Sequence, residues 1–228
     1  MRSVKRSNSG YTFEPIVTVS GGMLGFELVK KIEKHEHHFD TEGHNNFLSV
    51  EDGIKAFFDQ VTIACVNEDV FINNAFLLSI TIDYEIALHI ISNTALRKIL
   101  QQHSYIRLTL NEHFNEFEIG EERAVLHALT TYCTLWLDRF GEGSTSLSLV
   151  MNEKFEYIKI SKSFFWQHQG TLSFRKIIEH LKPYCNGIII CGVEHYSHIE
   201  YLKGSDIQAM QGILWSSYNQ EKLTQYFF

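Results

Sequence analysis

Nearly continuous apolar segments alternate with amphipathic helical patterns along most of this chain. Apolar residues on both faces are typical of strands in a parallel sheet that is covered by helices. One helical pattern, Leu172 to Lys182, carries its apolar residues on one face. For 228 residues, this alternation predicts a (β/α) barrel. The five predicted strands of this kind span Ala75 to Ile82, Ser104 to Leu110, Thr134 to Phe140, Phe155 to Ser161 and Asn186 to Val193.

The first part of the chain has a different pattern. Two short strands, Phe13 to Val19 and Met23 to Val29, are predicted on either side of a Ser-Gly-Gly turn, so that they form a hairpin. Only two prolines occur and no Gly/Ser/Pro-rich linker interrupts the sequence. We therefore predict a flexible N-terminal tail at residues 1–10 and one domain over residues 11–228.

Charge and cysteine content exclude some functions. The chain has 20 Lys and Arg against 27 Asp and Glu, a net charge of -7, which argues against nucleic-acid binding through a general basic surface. No signal-peptide core or membrane-spanning run is apparent, so a cytoplasmic location is expected. The cysteines lack CxxC spacing, and we predict free thiols at Cys65, Cys133, Cys185 and Cys191.

In a (β/α) barrel, functional side chains lie where the strands end, at the carboxyl-terminal face. The predicted strands and their loops place ten polar or reactive residues there. These candidates are Glu27, Thr81, Thr109, Glu112, Asp138, Arg139, Lys159, Cys191, Glu194 and Gln211.

Six segments follow one another in a specific order and spacing across nearly the whole chain. They are EPIV (14–17), GFELVK (25–30), LDRFGEGSTSLSLV (137–150), YIKISKSFF (157–165), ICGVEHYSHIEYL (190–202) and GSDIQAMQGILW (204–215). Together they resemble the EAL domain, and the resemblance implies a modified TIM (β/α)8 barrel whose first two strands are antiparallel. Active members of that family are phosphodiesterases that hydrolyse cyclic di-GMP with two divalent cations, which need oxygen ligands.

Several positions match residues of the family's active site. Glu27 matches the glutamate of the EAL signature, which is a metal ligand. Asp138, Lys159 and Gln211 match the first aspartate of the family's Asp-Asp pair, its lysine and its late glutamine. The resemblance also assigns Glu112 and Glu194 as two glutamates that brace the loop beside the active site.

Four other metal-site positions are substituted. By the resemblance, Thr81 replaces an asparagine ligand and Thr109 a glutamate, while Arg139 replaces the second aspartate and Cys191 another glutamate. Hydroxyls and thiols are poor ligands for hard cations, and an arginine brings a positive charge to the second cation's place. Lys31 replaces a phosphate-binding arginine and loses its bidentate geometry. We therefore expect no catalytic or metal-binding residues and no cofactor.

Some residues allow two interpretations. Arg139 either contacts a ligand phosphate or pairs with Asp138, Glu27 or another acid of the old pocket. A run of His and Glu at 35–38, with His44, is either a transition-metal cluster or a solvated loop. The aromatic residues of segment 161–167 either pack in the core or form a partner interface.

The combination of a stand-alone EAL domain and substituted metal ligands resembles the small degenerate EAL proteins of enteric bacteria. These bind the FlhD subunit of the flagellar activator FlhDC and suppress motility genes. The resemblance implies an anti-activator that represses flagellar transcription by protein contact, without binding DNA or a membrane. The alternatives are a metal-free cyclic di-GMP receptor and a residual cyclic di-GMP phosphodiesterase.

Overall fold

Eight strands form a closed barrel in the order in which they occur along the chain. The structure is a computed structural model that describes residues 10–31, 49–110, 121–142, 150–151 and 153–228. The strands are β1 Tyr11–Thr18, β2 Met23–Lys30, β3 Leu77–Ile82, β4 Ile106–Leu110, β5 Thr134–Phe140, β6 Phe155–Ile160, β7 Cys185–Cys191 and β8 Ala209–Gln211.

The first strand runs against its two neighbours. β1 is antiparallel to both β2 and β8, whereas the other neighbouring pairs are parallel. The predicted hairpin and the modified TIM barrel are therefore confirmed. In the β1–β2 pairing Glu14 lies directly opposite Glu27, which places two carboxylates side by side. This pairing brings both glutamates into the candidate site.

Nine α-helices whose bounds lie within the described residues accompany these strands. The sequence from Ile86 to Gln101 has one continuous helical pattern, but in the structure this stretch belongs to two helices separated at Asn93. The Asn93 side chain accepts hydrogen bonds from the backbone N–H groups of Ala95 and Leu96, which caps the second helix. The helices are α1 Val50–Val66, α2 Glu68–Asn74, α3 Tyr84–Ser92, α4 Thr94–Gln102, α5 Glu121–Thr130, α6 Lys162–His168, α7 Leu172–Leu181, α8 Tyr196–Leu202 and α9 Gln220–Phe227.

The last strand was not among the predicted strands. β8 has only three residues, which is too few to show a periodic pattern, although Gln211 at its end was a site candidate. It pairs with β7 on one side and with β1 on the other. This short strand therefore closes the barrel.

The described residues form two apolar clusters that hold the fold together. The larger lies between the strands and the helices, and it includes Phe13, Phe26 and Phe71. The smaller lies inside the barrel around Trp136, which is fully buried. Its remaining buried members are Ile16, Ile189 and Ala209.

A polar group adjoins the interior cluster. The indole N–H of Trp136 donates to Glu156 Oε2 at 2.7 Å, and the Arg107 guanidinium binds both oxygens of the same carboxylate. These contacts satisfy an indole donor that would otherwise be buried without a partner. Among the helices described here, none has the length and apolar character needed to cross a membrane.

Candidate functional site

Side chains from seven strands converge at the carboxyl-terminal end of the parallel strands, and we call this group the barrel mouth. At its centre the Lys159 ammonium lies 2.7 Å from Glu27 Oε2 and 3.7 Å from Asp138 Oδ1. Only 2% of the Lys159 side chain is exposed, so the two acidic partners replace its hydration. The barrel mouth consists of Glu14, Glu27, Thr81, Asp138, Lys159, Cys191 and Gln211.

Glu27 has further partners in the barrel mouth. The Gln211 amide nitrogen donates to Glu27 Oε2 at 2.7 Å, and the Thr81 hydroxyl donates to Glu27 Oε1 at 3.3 Å. The same Gln211 nitrogen lies 3.4 Å from Glu14 Oε2. Thr81 therefore supports the carboxylate from the side, while Gln211 connects the two glutamates.

Glu14 is a site residue that the sequence reasoning did not identify. A usable signal existed, because Glu14 is the only charged residue in the apolar run YTFEPIVTV at 11–19. A lone carboxylate on a barrel strand has to face either the helices or the barrel interior, and the helix-facing side is apolar. The site accordingly contains three carboxylates, from Glu14, Glu27 and Asp138, around one ammonium.

Burial and the charge of Lys159 shift the pKa values of these carboxyl groups in opposite directions. Burial opposes ionisation of Glu27, but the charge of Lys159 and the hydrogen bonds from Lys159, Gln211 and Thr81 outweigh it and lower its pKa. Burial raises the pKa of Asp138, and the nearby Glu27 charge raises it further, against the effect of Lys159. Burial and the Glu27 charge likewise raise the pKa of Glu14. Glu27 is thus the most firmly ionised acid of the barrel mouth.

The lysine and the cysteine of the barrel mouth are affected differently. Burial alone would lower the pKa of Lys159, but the charges of Asp138 and Glu27 raise it well above its ordinary value. Burial raises the pKa of the Cys191 thiol to about 12. Near neutral pH, the barrel mouth therefore contains a permanent ammonium and an uncharged thiol.

Thr109 does not join this group of contacts. Its hydroxyl is fully buried and lies 2.6 Å from the Ser79 hydroxyl, on the neighbouring strand. The two residues hydrogen-bond within the barrel between β3 and β4. The hydroxyl at this position is therefore already occupied by a protein partner.

Arg139 extends away from the acids with which the sequence suggested it would pair. Its guanidinium is half exposed and lies 3.8 Å from Glu142, rather than beside Asp138 or Glu27. Its backbone N–H, however, donates to Asp138 Oδ1 at 2.8 Å. The physical reason is the backbone: Arg139 has a φ of 56°, at an irregularity in the β5–β6 pairing that turns its side chain outward.

This backbone conformation makes Arg139 a testable source of strain. A residue with a Cβ destabilises the folded protein by about 1–2 kcal/mol when its backbone lies in the left-handed region, whereas glycine adopts this region freely. We expect Arg139→Gly to raise the free energy of unfolding by about 1 kcal/mol, after loss of the exposed Glu142 pair. Arg139→Ala is the matched control, since it removes the pair but keeps the Cβ. If urea denaturation gives a larger free energy of unfolding for Arg139→Ala than for Arg139→Gly, the backbone at Arg139 is not strained.

Of the two glutamates that were expected to brace the loop, only Glu194 lies within the described residues. Glu194 follows β7 and binds the Lys162 ammonium of α6 at 2.6 Å. The same ammonium lies 4.3 Å from the centre of the Trp166 ring. Glu194 therefore connects the β7–α8 loop to α6. Glu112 falls in 111–120, outside the described residues.

Other candidates lie at the edge of the site or beyond it. Lys31 is exposed immediately after β2, and its backbone N–H donates to the Gly10 carbonyl. The His and Glu run at 35–38, with His44, falls outside the described residues. Within the described ranges, no three His, Cys, Asp or Glu side chains are arranged to hold a metal ion.

The aromatic segment 161–167 contains both buried and exposed rings. Phe165 is fully buried in the larger core, while Trp166 is 41% exposed. The Trp166 indole N–H donates to the Gly192 carbonyl at 2.8 Å, which fixes the ring against the β7–α8 loop. The segment therefore packs in the core through Phe165 and the partly buried Phe164, and it presents Trp166 at the surface.

Comparisons with known proteins agree on the family. A model of the EAL domain matches residues 1–218. The cyclic di-GMP phosphodiesterase PdeH of Escherichia coli K12 is 22% identical over 209 residues, covering 89% of this chain and 80% of PdeH. The putative anti-FlhC(2)FlhD(4) factor YdiV of the same strain is 23% identical over 181 residues, 78% of this chain and 76% of YdiV.

Solved structures support the same assignment at the level of the fold. The EAL-like domain protein YdiV superimposes with a TM-score of 0.80 at 24% identity, and 96% of each chain is covered. The family match extends over nearly all of the chain, and its barrel has the reversed first strand. This chain is a member of the EAL domain family.

Proposed function

We propose that this chain is a non-catalytic EAL protein that regulates transcription by binding another protein. Its partner is FlhD of the flagellar regulator FlhDC, and its effect is repression of flagellar genes and of motility. The proposal has two parts, the loss of catalysis and the identity of the partner. Each part is supported by different observations and requires its own experiment.

The contacts of Lys159 support the loss of catalysis. A pair of divalent cations requires several oxygen donors that are free to coordinate them. Here the strongest remaining ligand, Glu27, is bound by the Lys159 ammonium, the Gln211 amide and the Thr81 hydroxyl. The substituted positions contribute a thiol at Cys191 and an already bonded hydroxyl at Thr109. The residues of the barrel mouth therefore do not fit two hard cations.

The partner is inferred from relatives rather than from the barrel mouth. YdiV, which this chain resembles in sequence and in fold, is named as an anti-FlhC(2)FlhD(4) factor. PdeH, which it resembles to a similar degree in sequence, is named as a phosphodiesterase. The donor set of the barrel mouth favours the regulator over the enzyme. Binding of FlhD then accounts for a barrel that is retained without a metal site.

The enzymatic part is tested by incubating the purified protein with cyclic di-GMP and Mg²⁺ or Mn²⁺. We expect no linear product under conditions in which PdeH converts the substrate fully. Turnover that disappears in a Glu27→Ala variant would show a working active site and would refute the proposal. Titration calorimetry with cyclic di-GMP in EDTA separately tests the metal-free receptor, and we expect no binding heat.

The partner is tested by titrating purified FlhDC with the protein and by following motility. We expect a complex that contains FlhD, and reduced swimming when the protein is overproduced. Cyclic di-GMP levels should remain unchanged in the same cells, because the effect does not require hydrolysis. Absence of a complex together with normal swimming would contradict the partner assignment.

A further inference from the structure

Glu14 lies in the barrel mouth without a cation of its own. The Lys159 ammonium lies within ion-pair distance of Glu27 and Asp138. Among the described residues, no Lys, Arg or His side chain forms an ion pair with Glu14, and its hydrogen-bond donor is the Gln211 amide nitrogen at the long distance of 3.4 Å. That nitrogen makes its shorter bond, of 2.7 Å, to Glu27. Glu14 is therefore the carboxylate of the barrel mouth with the weakest set of partners.

A second atom beside Glu14 also lacks a partner. Gln211 is only 6% exposed, and its side-chain oxygen Oε1 is buried with no hydrogen-bond donor in the described part of the chain. The amide nitrogen of the same side chain contacts both Glu14 and Glu27, so the amide group lies inside the barrel mouth. Buried polar atoms of this kind nearly always have a partner. The Glu14 carboxylate and Gln211 Oε1 are both acceptors, so a ligand that satisfies them has to donate.

The charge of the barrel mouth restricts this ligand further. Three carboxylates and one ammonium leave these side chains with a formal charge of -2. The side chains of Glu27 and Asp138 are 14% and 15% exposed, and Glu14 is also partly exposed, so a small molecule reaches them from solvent. An anion is repelled by this charge, whereas water supplies donors but no charge. The ligand that suits the barrel mouth carries N–H donors together with positive charge.

An organic cation meets this requirement better than a metal ion. A metal ion binds lone pairs at about 2.0–2.6 Å, but Gln211 presents N–H groups to the two glutamates. Within the described ranges, no three His, Cys, Asp or Glu side chains are arranged to hold a metal. An ammonium or guanidinium group donates at about 2.7–3.2 Å and directs several N–H bonds to separate acceptors.

We propose that the barrel mouth binds a small organic cation whose ammonium or guanidinium group donates to Glu14 and to Gln211 Oε1. The ligand is a free small molecule, because the low exposure of Glu27 and Asp138 admits one cationic group rather than a protein surface. Its charge offsets the excess of carboxylates that Lys159 leaves. The inference does not depend on the identity of the protein partner.

The test is a calorimetric titration of the purified protein with agmatine, which carries one guanidinium and one ammonium group. Tetramethylammonium is the matched control ligand, because it has a positive charge but no N–H donor. Glu14→Gln is the decisive variant, since it removes the charge, keeps the shape and provides an amide N–H that can donate to Gln211 Oε1. Glu200→Gln is the matched control variant, because the Glu200 side chain is 69% exposed on α8.

We expect agmatine to bind the wild type and Glu200→Gln equally, with a Kd below about 1 mM. Glu14→Gln should weaken binding about tenfold or more, because a charge-assisted hydrogen bond is lost. Circular dichroism and urea denaturation establish that both variants are folded, and Glu14→Gln should be at least as stable as the wild type. Absence of agmatine binding, equal binding of tetramethylammonium, or equal binding by Glu14→Gln would overturn the inference.

A second measurement locates the ligand. The side-chain amide of Gln211 gives one pair of signals in proton–nitrogen correlation spectra, which are assigned by their loss in Gln211→Met. Agmatine should shift these signals in the wild type and leave them in place in Glu14→Gln. Binding that leaves the Gln211 signals of the wild type unmoved would place the cation outside the barrel mouth and contradict the inference. Neither measurement involves FlhDC, so a failure here leaves the proposed function untouched.

Discussion

Replacing Lys159 with methionine is expected to lower the free energy of unfolding by about 3–5 kcal/mol, the usual cost of breaking a buried ion pair from one side. Methionine nearly fills the space of the lysine stem but provides no charge. The carboxylates of Glu27 and Asp138 would then lie inside the barrel mouth without their cation. Gln211 and Thr81 supply hydrogen bonds to Glu27, but neither supplies a positive charge.

The pH dependence of this loss distinguishes a charge effect from a packing effect. In the wild type, the pKa of Glu27 is lowered, so its stabilising contribution is present above the unfolded pKa and lost as pH falls towards the folded one. Without Lys159, burial dominates and raises the carboxyl pKa values above those of the unfolded chain. The folded variant then binds more protons than the unfolded chain, and its stability increases as pH falls from 8 to 5.

Urea denaturation at pH 8, 7, 6 and 5 measures both effects. Lys203→Met is the matched control, because Lys203 forms a 2.6 Å pair with Glu200 but is 54% exposed. That substitution should change stability by about 1 kcal/mol or less. A deficit for Lys159→Met that is the same at every pH would show that the ammonium contributes packing rather than charge.

Removing the Trp136 side chain should have an effect of similar size, for a different reason. Trp136→Ala is expected to cost about 3–5 kcal/mol, because it leaves a cavity inside a closed barrel whose strands cannot move inward. The indole is fully buried beside Ile16 and Ile189, and its ring meets the edge of Tyr157 at 5.0 Å between centroids. Glu156 retains its bonds to Arg107, so the main loss is packing.

Trp166 provides the control for this substitution. It is the same residue type at 41% exposure, with one hydrogen bond to Gly192 and the contact with Lys162. Trp166→Ala should cost about 1 kcal/mol. Chemical denaturation and thermal melting of both variants give the comparison. Equal costs would indicate that the barrel interior rearranges to fill the cavity left by Trp136.

Much of the fold and part of the barrel mouth follow from sequence patterns. Strands that are apolar on both faces identify the barrel, and a barrel brings strand ends together irrespective of their distance in sequence. For this reason Glu27 and Lys159, separated by 132 positions, lie in contact at the barrel mouth. The Ser-Gly-Gly turn likewise predicted the reversed first strand.

The remaining features depend on contacts that a pattern does not encode. The outward direction of Arg139 results from a backbone φ of 56° at a strand irregularity, which no residue preference indicates. Glu14 belongs to the barrel mouth because the β1–β2 register places it directly opposite Glu27. Phe58 has helical apolar spacing but lies at the outer edge of the buried stripe, where one position decides between core and surface.

The strands that close the barrel, β1 and β8, are the first and the last to be synthesised. β1 is completed by two Cα pairs with β8, Val17 with Met210 and Thr18 with Ala209, and by a bridge between Phe13 and Tyr218. At about 5–20 residues per second, roughly 10–40 s of translation separate the synthesis of these partners. During that time a ribosome-bound chain can pair β1 with β2 but leaves its other edge open. Chaperone contacts during translation should therefore concentrate on β1.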